Sequence, residues 1–186
     1  MARPEFETLI QRHYPRIRRA AMLLTGDAWD ADDLAQETFL QGMQSWGRFD
    51  QTTRVETWLY AILVNLDRKR RRRHVRGWQQ IVNWFARQKS AGDRPSPSHM
   101  IEVQEWKNSI WTAVATLPER QQHVIVLRYA ESLSYDEIAQ VLDCPAGTVK
   151  SSLHNGLTAL KSKAGNNWSE EFDEPMVRQS CRGENT

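Results

Sequence analysis

The chain has 186 residues, of which 40% are hydrophobic, and its 25 Lys and Arg against 23 Asp and Glu give a net charge of +2. This composition is typical of one or two small globular domains. No apolar run reaches the ~20 residues of a membrane-spanning helix, and the first residues lack the apolar core of a signal peptide. The isolated cysteines, Cys144 and Cys181, predict neither a disulfide framework nor a zinc site and fit a reducing cytoplasm, where we expect the protein.

The N-terminal residues are predicted to form an amphipathic helix. Apolar residues recur at helical spacing from Phe6 to Leu24, which is typical of a helix with one buried face. Pro15 lies inside this pattern, and we expect it to kink or break the helix because proline lacks an amide donor. Gly26 is expected to end the helix, since glycine tolerates the backbone angles of a C-terminal cap.

A second helix is expected to start at Asp27 or Asp30, either of which can cap it, and to run to about Trp46. Its predicted inward face consists of Ala31, Leu34, Ala35, Phe39, Met43 and Trp46. Its other face collects Asp32, Asp33, Gln36, Glu37 and Gln41. The helix dipole favours acidic residues in the first turn, but Glu37 lies beyond that turn. The acidic face therefore has two interpretations, a stabilised helix start or a docking surface for a basic helix.

A third helix is predicted from about Arg54, with Trp58, Leu59, Ile62, Leu63 and Leu66 on its apolar face. It runs into the basic block Arg68–Arg73, in which every residue is Lys or Arg. Because like charges repel, such a block favours polyanion binding over the alternative, a solvated helix end stabilised by the dipole. The aromatic segment Val75–Lys89 is then expected to pack on the first half, to enter a partner's channel or to lie on a membrane surface.

Pro95 and Pro97 mark a predicted linker between two helical halves. In the second half, one predicted helix contains Trp106, Ile110, Trp111, Val114 and Leu117, and Pro118 opens the next, with Val124, Leu127 and Tyr129 inward. Neither half shows a convincing strand-like alternation. The predicted class is therefore all-α, two small helical domains joined by a flexible linker. After Gly165 the chain is polar and acidic and is expected to be disordered.

The stretch Ser134–Lys163 has the pattern of a helix-turn-helix. Ser134 and Glu137 have the spacing of a capping box, and the segment DCPAG (143–147) breaks the helix. Thr148 is expected to cap a second helix, whose inward residues are Val149, Leu153, Leu157 and Leu160. A helix of this kind can enter the DNA major groove. The alternative is an ordinary helical hairpin on a solvated surface.

Together the two halves resemble the extracytoplasmic-function sigma factors of bacterial RNA polymerase, sigma-70 family members with regions 2 and 4 only. The resemblance rests on five segments: DADDLAQETFL (30–40), RFD (48–50), TWLYAILVNLDRKRRRR (57–73), TLPERQQHVIVLRY (116–129) and SYDEIAQVLDCPAGTVKSSLH (134–154). It implies region 2 over residues 1–76, a linker over 77–104, region 4 over 105–164 and an acidic tail over 165–186. The implied function is to bind core RNA polymerase, direct it to promoters and help melt the −10 element.

The resemblance also implies binding roles for individual residues. Docking on the beta-prime clamp helices of core polymerase is assigned to Asp33, Gln36 and Glu37, and the beta flap is a further implied contact. The residues implied to hold the −10 element are Arg48, Phe49, Trp58, Tyr60, Asn65, Arg68, Arg70, Arg71 and Arg72. Phe49 and Trp58 are equally explained as core residues. The outward-facing residues implied to bind the −35 element are Thr148, Lys150, Ser151, Ser152, His154 and Asn155.

The second helix departs from the family pattern. Family members usually read TVKSRLHRAR, whereas this chain reads TVKSSLHNGL, with Ser152, Asn155 and Leu157 where basic residues are usual. Because phosphate contacts supply much of DNA affinity, we expect weaker or differently specified −35 binding, with Asn155 reading adenine. Ser152→Arg is then expected to tighten binding. Gly156 in mid-helix is expected to cost up to ~1 kcal/mol relative to Ala.

Other functions compete with this interpretation. A stand-alone helix-turn-helix repressor or activator would not need the acidic face around Asp33 and Glu37. A DNA-processing enzyme such as a recombinase would need a nucleophile with clustered arginines, or a carboxylate metal site, and no such pattern is evident. We therefore expect no catalytic residue, metal or cofactor. The expected partners are core polymerase and promoter DNA, with an anti-sigma factor as a further candidate, and we expect no direct membrane insertion.

Overall fold

A computed structural model describes residues 3–49, 52–85 and 110–164, and it is helical wherever it is regular in those ranges. Contacts divide the chain into two compact units, Met1–Thr112 and Ala113–Thr186. The helices are α1 (Arg3–Thr25), α2 (Ala28–Ser45), α3 (Val55–Phe85), α4 (Ile110–Ala115), α5 (Glu119–Ile125), α6 (Tyr135–Leu142) and α7 (Ala146–Ala164). A 3₁₀ turn, Trp46–Arg48, follows α2, and a π-helical turn, Val126–Ala130, follows α5. The all-α prediction is confirmed.

Helix α1 continues through Pro15, so the prediction of a break there is wrong. Pro15 is exposed, whereas Ile17, Ala20 and Ala21 are at most 1% exposed. Burial of this stripe against α2 and α3 offsets the ~3 kcal/mol that an interior proline costs. Gly26 ends the helix as predicted, with a φ of 72° and an N–H that donates to the Met22 carbonyl oxygen at 2.9 Å.

Asp27 caps α2, which resolves the choice between two predicted caps. Its carboxylate accepts a hydrogen bond from the Asp30 amide at 3.0 Å. The predicted inward residues Ala31, Leu34, Ala35 and Phe39 are buried. The sequence pattern also predicts Met43 on this face, but its 45% exposure contradicts that prediction. Helical drift moves Met43 to the edge of the buried stripe, where α1 and α3 do not cover it.

Helix α3 is longer than the sequence pattern predicts. It carries the basic block without interruption and extends to Phe85, into the predicted linker and the predicted separate aromatic segment. Its first turns bury Leu59, Tyr60, Leu63 and Val64. Three parts of the prediction lie outside the described part of the chain. They are the side chains of residues 74–85, residues 86–109 with Pro95, Pro97 and Trp106, and the predicted acidic tail from Gly165.

The second unit forms a small core from the end of α4 and from α5 to α7. Pro118 precedes the first residue of α5 as expected, and Val124 and Leu127 are buried. The predicted capping box is confirmed: the Glu137 amide donates to the Ser134 hydroxyl at 3.2 Å, and the Ser134 amide donates to the Glu137 carboxylate at 2.8 Å. These reciprocal bonds fix the start of α6.

The turn between α6 and α7 spans residues 143–145 and is shorter than the predicted break over 143–147. Asp143 adopts the left-handed conformation, with a φ of 50°. Helix α7 begins at Ala146, and the Thr148 amide donates to the Pro145 carbonyl oxygen at 2.9 Å. Thr148 therefore lies inside the helix, and its prediction as the cap is wrong. Proline is favoured at helix starts, and Pro145 directly precedes Ala146. The helix therefore begins earlier in the chain than the predicted cap at Thr148.

Gly156 lies where α7 crosses close to α5. A Cβ atom at this position would be 2.8 Å from Ile125 Cδ1 and 3.3 Å from Gln121 Cβ. The prediction that Gly156 merely weakens the helix is therefore incomplete. The missing side chain allows the two helices to approach, which the propensity cost alone does not reveal.

Candidate nucleic-acid interface and docking face

The outer face of α2 carries the residues predicted to dock on a protein partner. Asp33, Gln36 and Glu37 are all exposed. They lie at the spacing that places them on one side of the helix, opposite the buried stripe of Ala31, Leu34 and Ala35. The structure thus brings the three predicted docking residues together on one accessible surface.

This face is also apolar in a way that the sequence interpretation missed. Among the side chains that the structure describes, the exposed large hydrophobic residues are Trp29 (71%), Leu40 (54%) and Met43 (45%), and all three belong to α2. With Asp33 and Gln36 they follow spacings of four, three, four and three residues. This regular spacing in the sequence could have revealed that the apolar residues share a face with the acidic ones. We call the surface formed by Trp29, Asp33, Gln36, Glu37, Leu40 and Met43 the α2 docking face.

An aromatic cluster joins the end of α2 to the start of α3. The ring centroids of Trp46 and Phe49 are 5.3 Å apart and stacked, and Phe49 and Trp58 are 4.8 Å apart. Phe6 contacts Trp46 edge to face at 5.3 Å. Phe49 and Trp58, both half-buried, therefore pack within the fold, as their alternative interpretation allowed, and each keeps part of its surface accessible.

The other predicted −10 contacts divide between the surface and the core. Arg48 and Asn65 are exposed. Tyr60 is only 1% exposed, so its prediction as a base contact is contradicted. The face of α3 that carries Tyr60 packs against the core, and a buried ring has no free surface on which a base can stack.

The basic block performs more than one task. Arg70 Nη1 lies 2.7 Å from Asp30 Oδ1, and Arg71 pairs with Asp67 at 2.7 Å. Arg72, like Lys69 and Arg73, is exposed, and Arg68 is half-buried. Arg71 also donates a hydrogen bond to the Leu24 carbonyl oxygen in α1. The predicted assignment of Arg70 and Arg71 to DNA alone is therefore incomplete, because both contact another helix of the first unit. The exposed members present the charge that a phosphate backbone attracts.

In α7 the predicted DNA-facing residues Lys150, Ser151, His154 and Asn155 are exposed, and Thr148 is half-buried. Ser152 is only 9% exposed, so its predicted outward position is wrong. It lies one turn before Gly156, on the side of α7 that approaches α5. The buried side of α7 contains the predicted Val149, Leu153 and Leu160 together with Ser152 and Gly156. Leu157, which was also predicted to face inward, is only half-buried.

Two groups away from these surfaces have shifted pKa values. Burial lowers the pKa of His13, an effect that Glu56 opposes and that Arg12 and Arg16 reinforce. Burial raises the pKa of the Tyr129 phenol, with Tyr135 acting in the same direction and Arg128 against it. In both residues burial favours the neutral form.

Within the described ranges, no group of three or more His, Cys, Asp or Glu side chains is placed to hold a metal ion. Of the helices in those ranges, none combines the length and apolar character needed to cross a membrane. The accessible chemistry is therefore that of the α2 docking face, the exposed basic residues of α3 and the outer face of α7.

Two protein-family models match most of the helices described above. The family model described as sigma-70 region 2 matches residues 9–77, and the model described as sigma-70, region 4, matches residues 107–160. The first match contains most of α1, all of α2 and the basic block. The second contains α4 to α6 and most of α7.

Curated relatives match over nearly the same span. The chain is 29% identical over 167 residues to the ECF RNA polymerase sigma factor SigW of Bacillus subtilis, covering 85% of this chain and 88% of that protein. It is 32% identical over 162 residues to the ECF RNA polymerase sigma factor SigE of Mycolicibacterium smegmatis, covering 86% of this chain and 62% of that protein.

Solved structures share the fold. The sigma factor RpoE of Bartonella quintana, in complex with the anti-sigma factor NepR, matches with a TM-score of 0.67 and 24% identity over 85% of this chain and 95% of that one. CnrH in complex with the cytosolic domain of CnrY matches with a TM-score of 0.63 and 22% identity over 87% of this chain and 88% of that one.

Proposed function

The chain belongs to the sigma-70 family, in the extracytoplasmic-function group that has regions 2 and 4. We propose the following roles for its surfaces in promoter recognition and transcription initiation. It is an RNA polymerase sigma factor that binds core polymerase, directs it to specific promoters and helps melt the −10 element. Its relatives are transcription initiation factors, and the polymerase core supplies the chemistry. The exposure of acidic and apolar side chains together on the α2 docking face is the main support for the proposed polymerase contact.

The α2 docking face is the site of attachment to the beta-prime clamp helices of core polymerase. Asp33 and Glu37 supply negative charge, and Trp29, Leu40 and Met43 supply apolar area that is exposed in the isolated chain. Exposed apolar residues rimmed by polar ones mark protein-binding surfaces. A stand-alone repressor does not require such a face, which argues against that alternative.

Promoter DNA contacts both units. In the first unit, Arg48 and the accessible parts of Phe49 and Trp58 lie near the start of α3. The exposed Asn65 lies farther along α3, and the exposed Arg72 lies beyond it. Unpaired bases bind by stacking and hydrogen bonding, and their phosphates bind to basic side chains. These groups therefore suit the melted −10 element.

In the second unit, α7 acts on the −35 duplex through its exposed residues Lys150, Ser151, His154 and Asn155, with Thr148 at its edge. Region 2 then corresponds to residues 1–76 and region 4 to residues 105–164, and region 4 also contacts the beta flap. An anti-sigma protein is a further proposed partner, as in the solved complexes of RpoE with NepR and CnrH with CnrY. We place the protein in the cytoplasm, where core polymerase acts.

Binding to purified core polymerase tests the docking assignment. The Asp33→Lys, Glu37→Lys double variant is expected to lose core binding while its circular dichroism spectrum and unfolding midpoint stay unchanged. Trp29→Ala is expected to weaken binding about tenfold or more, in the range of an aromatic hot spot. The matched control is Gln11→Ala, which removes an exposed α1 side chain. Normal core binding by both α2 variants would overturn the assignment.

A further inference from the structure

Helix α7 has a single basic residue, Lys150, in the part proposed to face the duplex, whereas Lys161 and Lys163 lie in its last turn. Lys150 is the only Lys or Arg between Ala146 and Leu160, and it is exposed. A lysine side chain loses about 2 kcal/mol of rotamer entropy when it is fixed, which weakens any phosphate contact that it makes alone. A neighbouring group that restricts Lys150 before DNA binds would therefore increase affinity.

Tyr135, the first residue of α6, is placed to restrict it. The Lys150 ammonium lies 5.6 Å from the centroid of the Tyr135 ring, within the range of a cation–π contact. The Arg128 guanidinium lies 4.9 Å from the same centroid, and its Nη1 donates to the Leu133 carbonyl oxygen at 2.8 Å. Arg128 is thus fixed to the backbone, and the capping box of Ser134 fixes the ring's own helix start.

We propose that Tyr135 is a positioning residue for Lys150 in −35 binding: its ring holds the ammonium near the N-terminal end of α7, where it contacts a phosphate of the duplex. The contact uses the face of the ring and not the phenol hydroxyl. This inference rests on the proposed function and names a residue absent from the predicted DNA contacts.

The test is a double-mutant cycle in the holoenzyme. Core polymerase carrying the wild-type chain first enriches a duplex from random sequences, and that fluorescein-labelled duplex is the probe. Affinities are then measured over a salt series for the wild type, Tyr135→Leu, Tyr135→Phe, Lys150→Met and the Tyr135→Leu, Lys150→Met double variant. The methionine keeps the lysine stem and removes only its charge.

We expect Tyr135→Leu to weaken binding about threefold, the size of a cation–π contact at an accessible site. Tyr135→Phe keeps the aromatic face and is expected to bind like the wild type. Lys150→Met is expected to lower the slope of log affinity against log salt by about 1. In the Lys150→Met background, Tyr135→Leu is expected to have no further effect, which a merely structural role would not produce.

Three results would overturn the positioning role. One is an equal loss from Tyr135→Leu with and without Lys150, which would mean that the ring acts independently of the lysine. Another is a loss from Tyr135→Phe as large as that from Tyr135→Leu, which would assign the effect to the hydroxyl. The third is unchanged affinity and salt slope in Lys150→Met. Failure of the wild-type holoenzyme to enrich any duplex is a separate result that would overturn the proposed function as well.

Discussion

Arg71 closes the C-terminal end of α1: its Nη2 donates to the carbonyl oxygen of Leu24 at 2.7 Å. Its Nε donates to Asp67, one turn earlier on α3, also at 2.7 Å. The Asp67 side chain is 1% exposed, so Arg71 supplies positive charge to a carboxylate that water does not reach. A residue of the basic block thereby connects α3 to α1.

This arrangement predicts different effects for two adjacent arginines. Arg71→Gln removes the positive charge that Arg71 places beside the buried Asp67 carboxylate, together with a bond to a helix-end carbonyl. We expect a loss of about 3 kcal/mol in the free energy of unfolding, within the range for breaking a buried ion pair. Urea titration followed by circular dichroism measures it.

Arg72→Gln is the matched control, because Arg72 is exposed. Its unfolding free energy is expected to change by less than about 0.5 kcal/mol, and the salt slope of DNA binding is expected to fall by about 1. Equal destabilisation by the two variants would show that Arg71 has no special structural role.

Gly156→Ala is expected to destabilise the second unit although alanine is the better helix former. The new methyl group would meet the fully buried Ile125 at 2.8 Å, and overpacking of a core costs about 1–3 kcal/mol. Combining it with Ile125→Val, which removes Cδ1, is expected to recover part of that loss, as a double-mutant cycle in chemical denaturation can measure.

Gly147→Ala is the control for this experiment. Nothing lies within 4 Å of a Cβ atom built at Gly147. The helix propensity of alanine is therefore expected to raise stability by about 0.5–1 kcal/mol. A stabilising Gly156→Ala would contradict the close approach of α7 to α5.

An added arginine on α7 should act according to the face it occupies. Asn155 is exposed, so Asn155→Arg is expected to tighten duplex binding and to raise the salt slope by about 1. Ser152 is 9% exposed, so Ser152→Arg is expected to destabilise the fold instead of tightening binding, in contrast to the sequence-based expectation. Tighter binding by Ser152→Arg at unchanged stability would place that residue outside the core after all.

Acidification is expected to destabilise the first unit through His13. Burial lowers the pKa of His13 from the ordinary value of 6.5, so the unfolded chain binds this proton more readily than the folded chain does. The contribution of His13 to stability is therefore constant above pH 6.5 and falls as the pH drops below it. Urea midpoints of the wild type and His13→Gln between pH 7.5 and 5 should diverge. His154→Gln, at an exposed site, is the control, and parallel pH profiles for wild type and His13→Gln would contradict the prediction.

The local features of this fold were readable from sequence, because they depend on neighbouring residues. The capping box at Ser134 and the end of α1 at Gly26 depend only on residues within one helical turn. The exposure of Asp33 and Glu37 follows from the period of the buried stripe beside them.

The errors arose where a distant part of the chain decides the outcome. The helical period predicts roughly which side of a helix is buried, but not where the buried side ends. Neighbouring helices decide that limit, so Ser152 of α7 is buried and Met43 of α2 is exposed. The burial of Tyr60 and the bond from Arg71 to Leu24, 47 residues away, depend on how α1, α2 and α3 pack. The positive charge of Arg71 indicated a polyanion, whereas its position in the fold gives it a carboxylate.

Transcription in vitro tests the central claim most directly. Purified core polymerase, with and without this chain, is supplied with genomic DNA of the host organism, and the 5′ ends of the transcripts are mapped. We predict discrete start sites that require the wild-type chain and disappear with the Asp33→Lys, Glu37→Lys variant. If the chain adds no start site and does not bind core polymerase, its role as a promoter-specificity subunit is contradicted.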